Sequence, residues 1–295
     1  MEIDSDGMRR FMFEGSRLRG VRVHLSQAWQ TLRQRHSYPE PVESLLGQSL
    51  AAVALLGATI KFDGSLIMQV RGDGPISLLV AQATGERTVR GMASLRGAID
   101  ESDLGSLIGS GHLALTIDPG HGNQRYQGIV ELTGTQLSAT IDHYFATSDQ
   151  LPTRLWLAAD GEHAAGLLLQ ALPGADSDTD AQSWQHLIAL AETVKSDELL
   201  SLSSEALLRR LFHAEPVRVF ESEAIRFACG CSRERVGGML RAMPLAELRE
   251  TAHDEGGLLA VNCDFCNAKY DFDIVDLEAL FAIAPEQPPG SVSTH

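Results

Sequence analysis

The first 228 residues of this 295-residue chain contain no cysteine. All four thiols sit in two short stretches, "FACGCSRERV" with Cys229 and Cys231, and "VNCDFCNAKY" with Cys263 and Cys266. Disulfide frameworks spread cysteines through a fold, whereas thiols paired at short spacing point to metal or redox chemistry. Basic residues are scarce too: 24 Lys and Arg stand against 39 Asp and Glu, a formal net charge of -15. Nucleic-acid binding draws its affinity from cations that displace phosphate counterions, so this balance argues against a nucleic-acid partner. Long apolar runs are missing as well. "LAAVALLGATI" from Leu50 is too short to span a bilayer, and "MEIDSDGMRR" lacks the order of a secretory signal. The expectation is a cytoplasmic protein that does not meet a membrane. Enzyme motifs are equally absent. "GDGP" and "DPGHGN" have neither the P-loop lysine nor dinucleotide-binding spacing, no Gly-x-Ser-x-Gly elbow occurs, and His112, His121 and His143 lie far apart. No catalytic residue is assigned, and the chain is not expected to be an enzyme.

What is present describes a globular protein, 44% hydrophobic and 21% charged, long enough for one large core and a smaller unit. "RGVRVHLS" alternates as a strand, followed by a Ser-capped helix in "SQAWQTLRQRH". "YPEPVESLLGQSLAAVALLGATI" reads as an apolar helix with Gly47, Ala51, Ala54 and Ala58 along one side. "SLIMQVRGDGPISLLVAQ" reads as a hairpin around Gly72, Asp73, Gly74 and Pro75. Strands follow in "RTVRGMASL", "GHLALTID", "YQGIVEL", "TRLWLAAD" and "AAGLLLQAL", with a helix in "LSATIDHYFATSD". Strands and helices mix without regular alternation, which gives an α+β class with a largely antiparallel sheet.

After Pro173, "GADSDTDAQS" is small, acidic and rich in breakers, as a domain boundary would be. Two amphipathic helices follow, in "SWQHLIALAETVKSDELL" and "SSEALLRRLF". Leu187, Leu190, Ala191 and Val194 mark one stripe, and Leu207, Leu208, Leu211 and Phe212 mark another. Short isolated helices are marginal in water, so these stripes need a cover. The expected organisation is an N-terminal mixed sheet-and-helix domain over 1–175, a helical linker over 176–222, a small four-cysteine domain over 223–285, and a disordered tail over 286–295.

The cysteine spacing favours structural zinc. Such sites take two thiolates from each of two tight turns. C-x-x-C lets Cys263 and Cys266 bend around one ion, with Asn267 left-handed at the end of the turn. In "CGCS" alternate side chains share one side, and Gly230 lets the backbone curl near the metal. Four thiolates leave no open position, which argues against hydrolytic zinc chemistry. Oxidation can dismantle such a site, and spacing alone leaves both an inert ribbon and a redox-labile one open. A zinc-ribbon nucleic-acid module, or a purely structural zinc protein, is the alternative. Arg226, Arg233, Arg235, Arg241, Arg249 and Lys269 lie near the cysteines, but acidic residues outnumber basic ones there, and surface pairing and charge balance explain them.

C-x-C-S-x-x-R, then C-x-F-C followed by "KYDF", resembles the C-terminal zinc site of the redox-regulated heat-shock holdases, the 33-kDa chaperonin family. "RGVRVHLSQAW", "RHSYPEPVESLLGQSLAA", "LLGATIKFDGSL", "GDGPISLLV", "YFATSDQLPT" and "GLLLQALP" extend the likeness across most of the chain. The resemblance implies one zinc ion held by reduced Cys229, Cys231, Cys263 and Cys266 in an inactive state. It implies that oxidation joins Cys229 to Cys231 and Cys263 to Cys266, releases the zinc, and unfolds the zinc domain and a metastable linker. It further implies an active homodimer that binds unfolding client proteins without ATP and passes them to an ATP-dependent foldase system. The linker stripes nominate Leu187, Leu190, Val194, Leu207, Leu211 and Phe212 as client-binding candidates.

Overall fold

The computed structural model describes residues 6–60, 63–99, 102–120, 124–175 and 178–282. The proposed tail, 286–295, and His121 lie outside the described residues. The chain divides into two compact units, Met1–Ala228 and Cys229–His295.

Two sheets build the first unit. One is five-stranded and antiparallel, with strands β1 (Gly7–Phe13), β2 (Leu18–Leu25), β8 (Thr153–Ala159), β9 (Ala164–Ala171) and β10 (Val217–Ala224) in the order β10-β1-β2-β9-β8. The other is six-stranded, with β3 (Ser65–Gly72), β4 (Ile76–Thr84), β5 (Thr88–Leu95), β6 (Gly111–Asp118), β7 (Tyr126–Glu131) and β11 (Arg226–Phe227) in the order β11-β5-β4-β3-β6-β7. Among the described residues only β11 pairs in parallel, with β5. The class is α+β, as the sequence indicates, but the strands make two layers. The reason lies in α2 (Glu40–Thr59), which buries fourteen of its twenty residues and packs on strands of both sheets. A helix apolar all round needs cover all round. Its length and mean hydropathy of 1.4 would also suit a membrane span, but 78% of that stretch is buried inside the unit. At Gly47 an added Cβ would stand 2.5 Å from Ala159 Cβ, so the small-residue side does mark a close approach.

Shorter helices complete the unit: α1 (Gln27–Arg33), α3 (Leu104–Ile108), α4 (Leu137–Tyr144) with a π-helical turn after it, α5 (Asp178–Ala191), α6 (Ser196–Ser201) and α7 (Ser204–Phe212). Ser26 sits at the N-cap of α1 without a side-chain capping bond. The Asp6 carboxylate takes that role, accepting from the Ser26 and Ala28 amides at 2.5 and 2.8 Å.

The central strands β2 and β9 of the five-stranded sheet are buried on both faces. Along β9, Ala164 and Leu168 join the core around α2, while Ala165, Leu167, Leu169 and Ala171 join a second core built with α5, α6 and α7. That is the period-two alternation of a strand with two covered faces. The region 176–222 therefore holds three helices and most of the edge strand β10. The unit boundary falls after Ala228 rather than 222 because β10 and β11 pair with β1 and β5.

The second unit contains α8 (Arg233–Leu240), α9 (Leu245–Asp254), the hairpin β12 (Leu258–Asn262) with β13 (Lys269–Asp273), and α10 (Ile274–Ala282). Seven residues, Phe272 and Leu277 among them, form its buried hydrophobic cluster.

Candidate metal centre

The hairpin tip carries the second cysteine pair. Cys263 follows β12 directly, and its carbonyl accepts from the Cys266 and Asn267 amides at 3.3 and 2.7 Å. The Cys263 amide closes the loop onto the Ala268 carbonyl at 2.9 Å. Asn267 turns the chain with φ 54°, the left-handed conformation that its short amide side chain tolerates. The first pair precedes α8, whose N-cap Ser232 accepts from the Arg235 amide at 3.2 Å. Gly230 is not among the glycines with positive φ; the space left by its missing side chain admits the Arg235 guanidinium, which donates to the Gly230 carbonyl.

All four sulfurs lie within 4.8 Å of one another. Cys229 Sγ stands 3.6 Å from Cys263 Sγ, and Cys231 Sγ 3.3 Å from Cys266 Sγ, so these contacts run between the motifs. None of the four is in a disulfide, and Cys266 is buried while the others are half-buried. A tetrahedral ion with Zn–S bonds near 2.3 Å separates its sulfurs by about 3.8 Å, so the observed cluster matches a four-thiolate cage in both donor type and size. Among the described residues this is the only such grouping of metal-ligating side chains.

The electrostatics are uneven. Burial raises the Cys229 thiol, and burial reinforced by its sulfur neighbours pushes Cys266 up to about 12. At Cys231 burial also raises the thiol, but hydrogen bonds from Tyr270 and the other sulfurs prevail and bring it down to about 7. The Tyr270 hydroxyl donates to Cys231 Sγ at 3.2 Å, which raises the phenol to about 12. The nearby cations mostly serve the surface. Arg233 stacks over Phe272 at 4.2 Å and pairs with Asp276 at 2.7 Å, Arg249 pairs with Glu278 at 2.5 Å, and Lys269 with Asp271 at 3.0 Å.

The other nominated residues gather in the first unit. Leu187, Leu207, Leu211 and Phe212 are buried in the second core, with Leu190 and Val194 partly buried against it. Phe212 closes an aromatic cluster, 5.1 Å from Phe13 and 6.0 Å from Phe11 between ring centroids. Val194 does not continue a helix but lies in the break between α5 and α6. Two polar residues missed by the sequence reading fix that segment. Arg22, wholly buried on β2, donates to the Leu199 carbonyl, and His24 Nε2 lies 2.9 Å from the Leu200 carbonyl. An alternating strand places both on a polar face, and nothing in the spacing announces that α6 covers it. Tyr270 was visible only inside the "KYDF" motif, without a role.

The profile of the Hsp33 protein family matches residues 6–273. The 33 kDa chaperonin of Azotobacter vinelandii is 47% identical over 284 residues, covering 95% of each chain. That of Methylobacillus flagellatus is 42% identical over 289 residues, covering 98% of each. The crystal structure of the Thermotoga maritima 33 kDa chaperonin superposes with a TM-score of 0.82 at 24% identity, covering 94% of this chain and 98% of that one. The last comparison speaks to fold, and the sequence matches speak to kinship.

Proposed function

The chain belongs to the Hsp33 family, a family of chaperones and not of enzymes, and from that premise we propose that it is a redox-regulated, ATP-independent holdase of the cytoplasm. The observation that carries the reading is the cage of four unlinked sulfurs, taken together with a linker whose apolar stripes are covered within the first unit. In the reduced state Cys229, Cys231, Cys263 and Cys266 hold one zinc ion, which supplies cross-linking and keeps the sulfurs as thiolates. The second unit depends on that cross-link. Its seven-residue hydrophobic cluster is small, whereas zinc binding contributes on the order of 10 to 16 kcal/mol to small Cys-rich folds.

Peroxide breaks the cross-link. A thiolate sulfur attacks the O–O bond and hydroxide leaves; the neighbouring sulfur then attacks the resulting sulfenic sulfur, whose hydroxyl departs as water. Two thiols and one peroxide thus give one disulfide and two waters. Cys229 with Cys231 and Cys263 with Cys266 pair in this way, each closing a loop too short to constrain the fold. The second unit then unfolds. Chain continuity carries the effect back, because α7, β10 and β11 lead directly into Cys229. Helices α5 to α7 leave the sheet, and Leu187, Leu190, Val194, Leu207, Leu211 and Phe212 become available to unfolding clients. The active form is a homodimer that releases clients to an ATP-dependent foldase after reduction. Titration with a hydrophobic dye tests the exposure step: the oxidised protein binds more dye than the reduced one, and equal binding in both states contradicts it.

A further inference from the structure

Three of the four sulfurs have a donor identified beyond their sulfur neighbours. Cys229 takes the amide of Cys231 and Cys266 the amide of Ala268, bonds that come with the turns themselves. Cys231 takes a side chain instead. The donor is Tyr270, held on β13 opposite Val261, with its ring packed against the core of the second unit and its hydroxyl 3.2 Å from Cys231 Sγ. The bond reaches from the C-x-x-C hairpin to the sulfur of the C-x-C pair, so it also ties the two motifs together.

We propose that Tyr270 is a positioning residue of the redox switch: its hydroxyl draws electron density from the Cys231 sulfur and shields it from peroxide, setting how much oxidant the centre withstands. The inference rests on the redox reading above and adds the residue that tunes it. Groups that hydrogen-bond a metal ligand orient it and change its electronic character. In the metal-bound state the sulfur is already a thiolate, so what the bond alters is nucleophilicity rather than the fraction ionised. The reaction slowed is sulfur attack on the peroxide oxygen, in which an S–O bond forms, the O–O bond breaks and hydroxide departs. A neighbouring sulfur then displaces that oxygen as water, and two electrons per disulfide pass from sulfur to peroxide. A hydrogen bond to a charged acceptor, with somewhat under half of its strength felt in nucleophilicity, corresponds to roughly a three- to tenfold change in rate.

Tyr270→Phe keeps the ring and removes the donor. Full-length, zinc-loaded wild type and variant are exposed to hydrogen peroxide, zinc release is followed with a colorimetric chelator, and oxidised cysteines are mapped by alkylation and mass spectrometry. The variant is expected to lose zinc roughly three- to tenfold faster, with earlier oxidation at Cys231. Cobalt(II) substitution supplies a second readout, a shifted sulfur-to-cobalt charge-transfer band within an intact tetrahedral spectrum, which loss of packing alone would not produce. If Tyr270→Phe does not fold, site-specific 3-fluorotyrosine at position 270, a stronger donor of the same shape, is expected to slow release. Wild type that loses zinc to peroxide while the folded variant, or the fluorinated protein, matches its rate overturns the role of Tyr270. Wild type that keeps its zinc under peroxide overturns the redox reading itself.

Discussion

Phe212→Ala is the substitution that separates a releasable linker from a fixed part of the core. Phe212 is 2% exposed and edge-on to Phe13 at 5.1 Å. Truncating such a ring costs about 3 to 5 kcal/mol in lost transfer energy and cavity, with the aromatic contacts a part of that sum. At 1.4 kcal/mol per tenfold, the ratio of undocked to docked α5–α7 rises roughly a hundredfold to a few thousandfold. A segment undocked about one molecule in ten thousand would then be open in a percent or more of molecules, while the rest of the unit stays folded. The assay is dye binding and limited proteolysis on reduced, zinc-loaded protein, with zinc content measured alongside. The variant should bind dye, be cleaved between 178 and 212, and suppress client aggregation before any oxidant is added, with its zinc retained. If the variant merely melts at a lower temperature, with no dye binding below the transition and no early cleavage, then α5–α7 are a permanent core element and the release step is wrong.

Chelating the metal, or replacing Cys266 by Ser, should unfold the second unit while the first keeps its structure; far-UV circular dichroism with hydrogen exchange resolved by unit reads this out, and a second unit that stays protected contradicts it. Arg22→Met removes the donor to the buried Leu199 carbonyl at little change in volume, and should lower the stability of the docked segment by about 1 to 3 kcal/mol in urea unfolding. Asp142 carries a pH signature: burial raises its carboxyl from 3.8 to about 7, against the pull of Arg154 at 3.2 Å and the Leu155 amide. Because the folded-state value lies above the unfolded one, the first unit should lose stability as pH rises from about 4 to 7, by at most roughly 4 kcal/mol from this group, and Asp142→Asn should flatten that slope in thermal melts at pH 5 and 8.

Much of this was legible because local chemistry and tertiary demand agree. The hairpin at Gly72 to Pro75, the strand β9 and the left-handed Asn267 all follow from rules that act within a few residues. The cysteine pairs were legible because thiols confined to two turns have few other uses. What escaped depends on cover supplied from elsewhere in the chain. "RGVRVHLS" alternates, but both of its faces are buried, so Arg22 and His24 lie on a face covered by the distant helices α5 to α7, with their carbonyl partners on α6. β1 and β10 were passed over: β10 is an edge strand exposed along most of its length, with little periodic signal. The helix expected to run through Val194 breaks there, where Glu198 reaches back to the Lys195 amide at 3.0 Å and starts α6 anew. Asp6 caps α1 from outside its own segment, so Ser26, the natural cap by sequence, was credited with the role.

The central claim is that four sulfurs hold an ion whose loss switches the protein on. It is tested most directly by counting zinc per chain, before and after peroxide, in the same samples used to measure suppression of client aggregation. The account predicts one zinc and little suppression in the reduced protein, then loss of the zinc, two disulfides and strong suppression after oxidation. Reduced protein that carries no zinc, or that suppresses aggregation equally in both states, contradicts it.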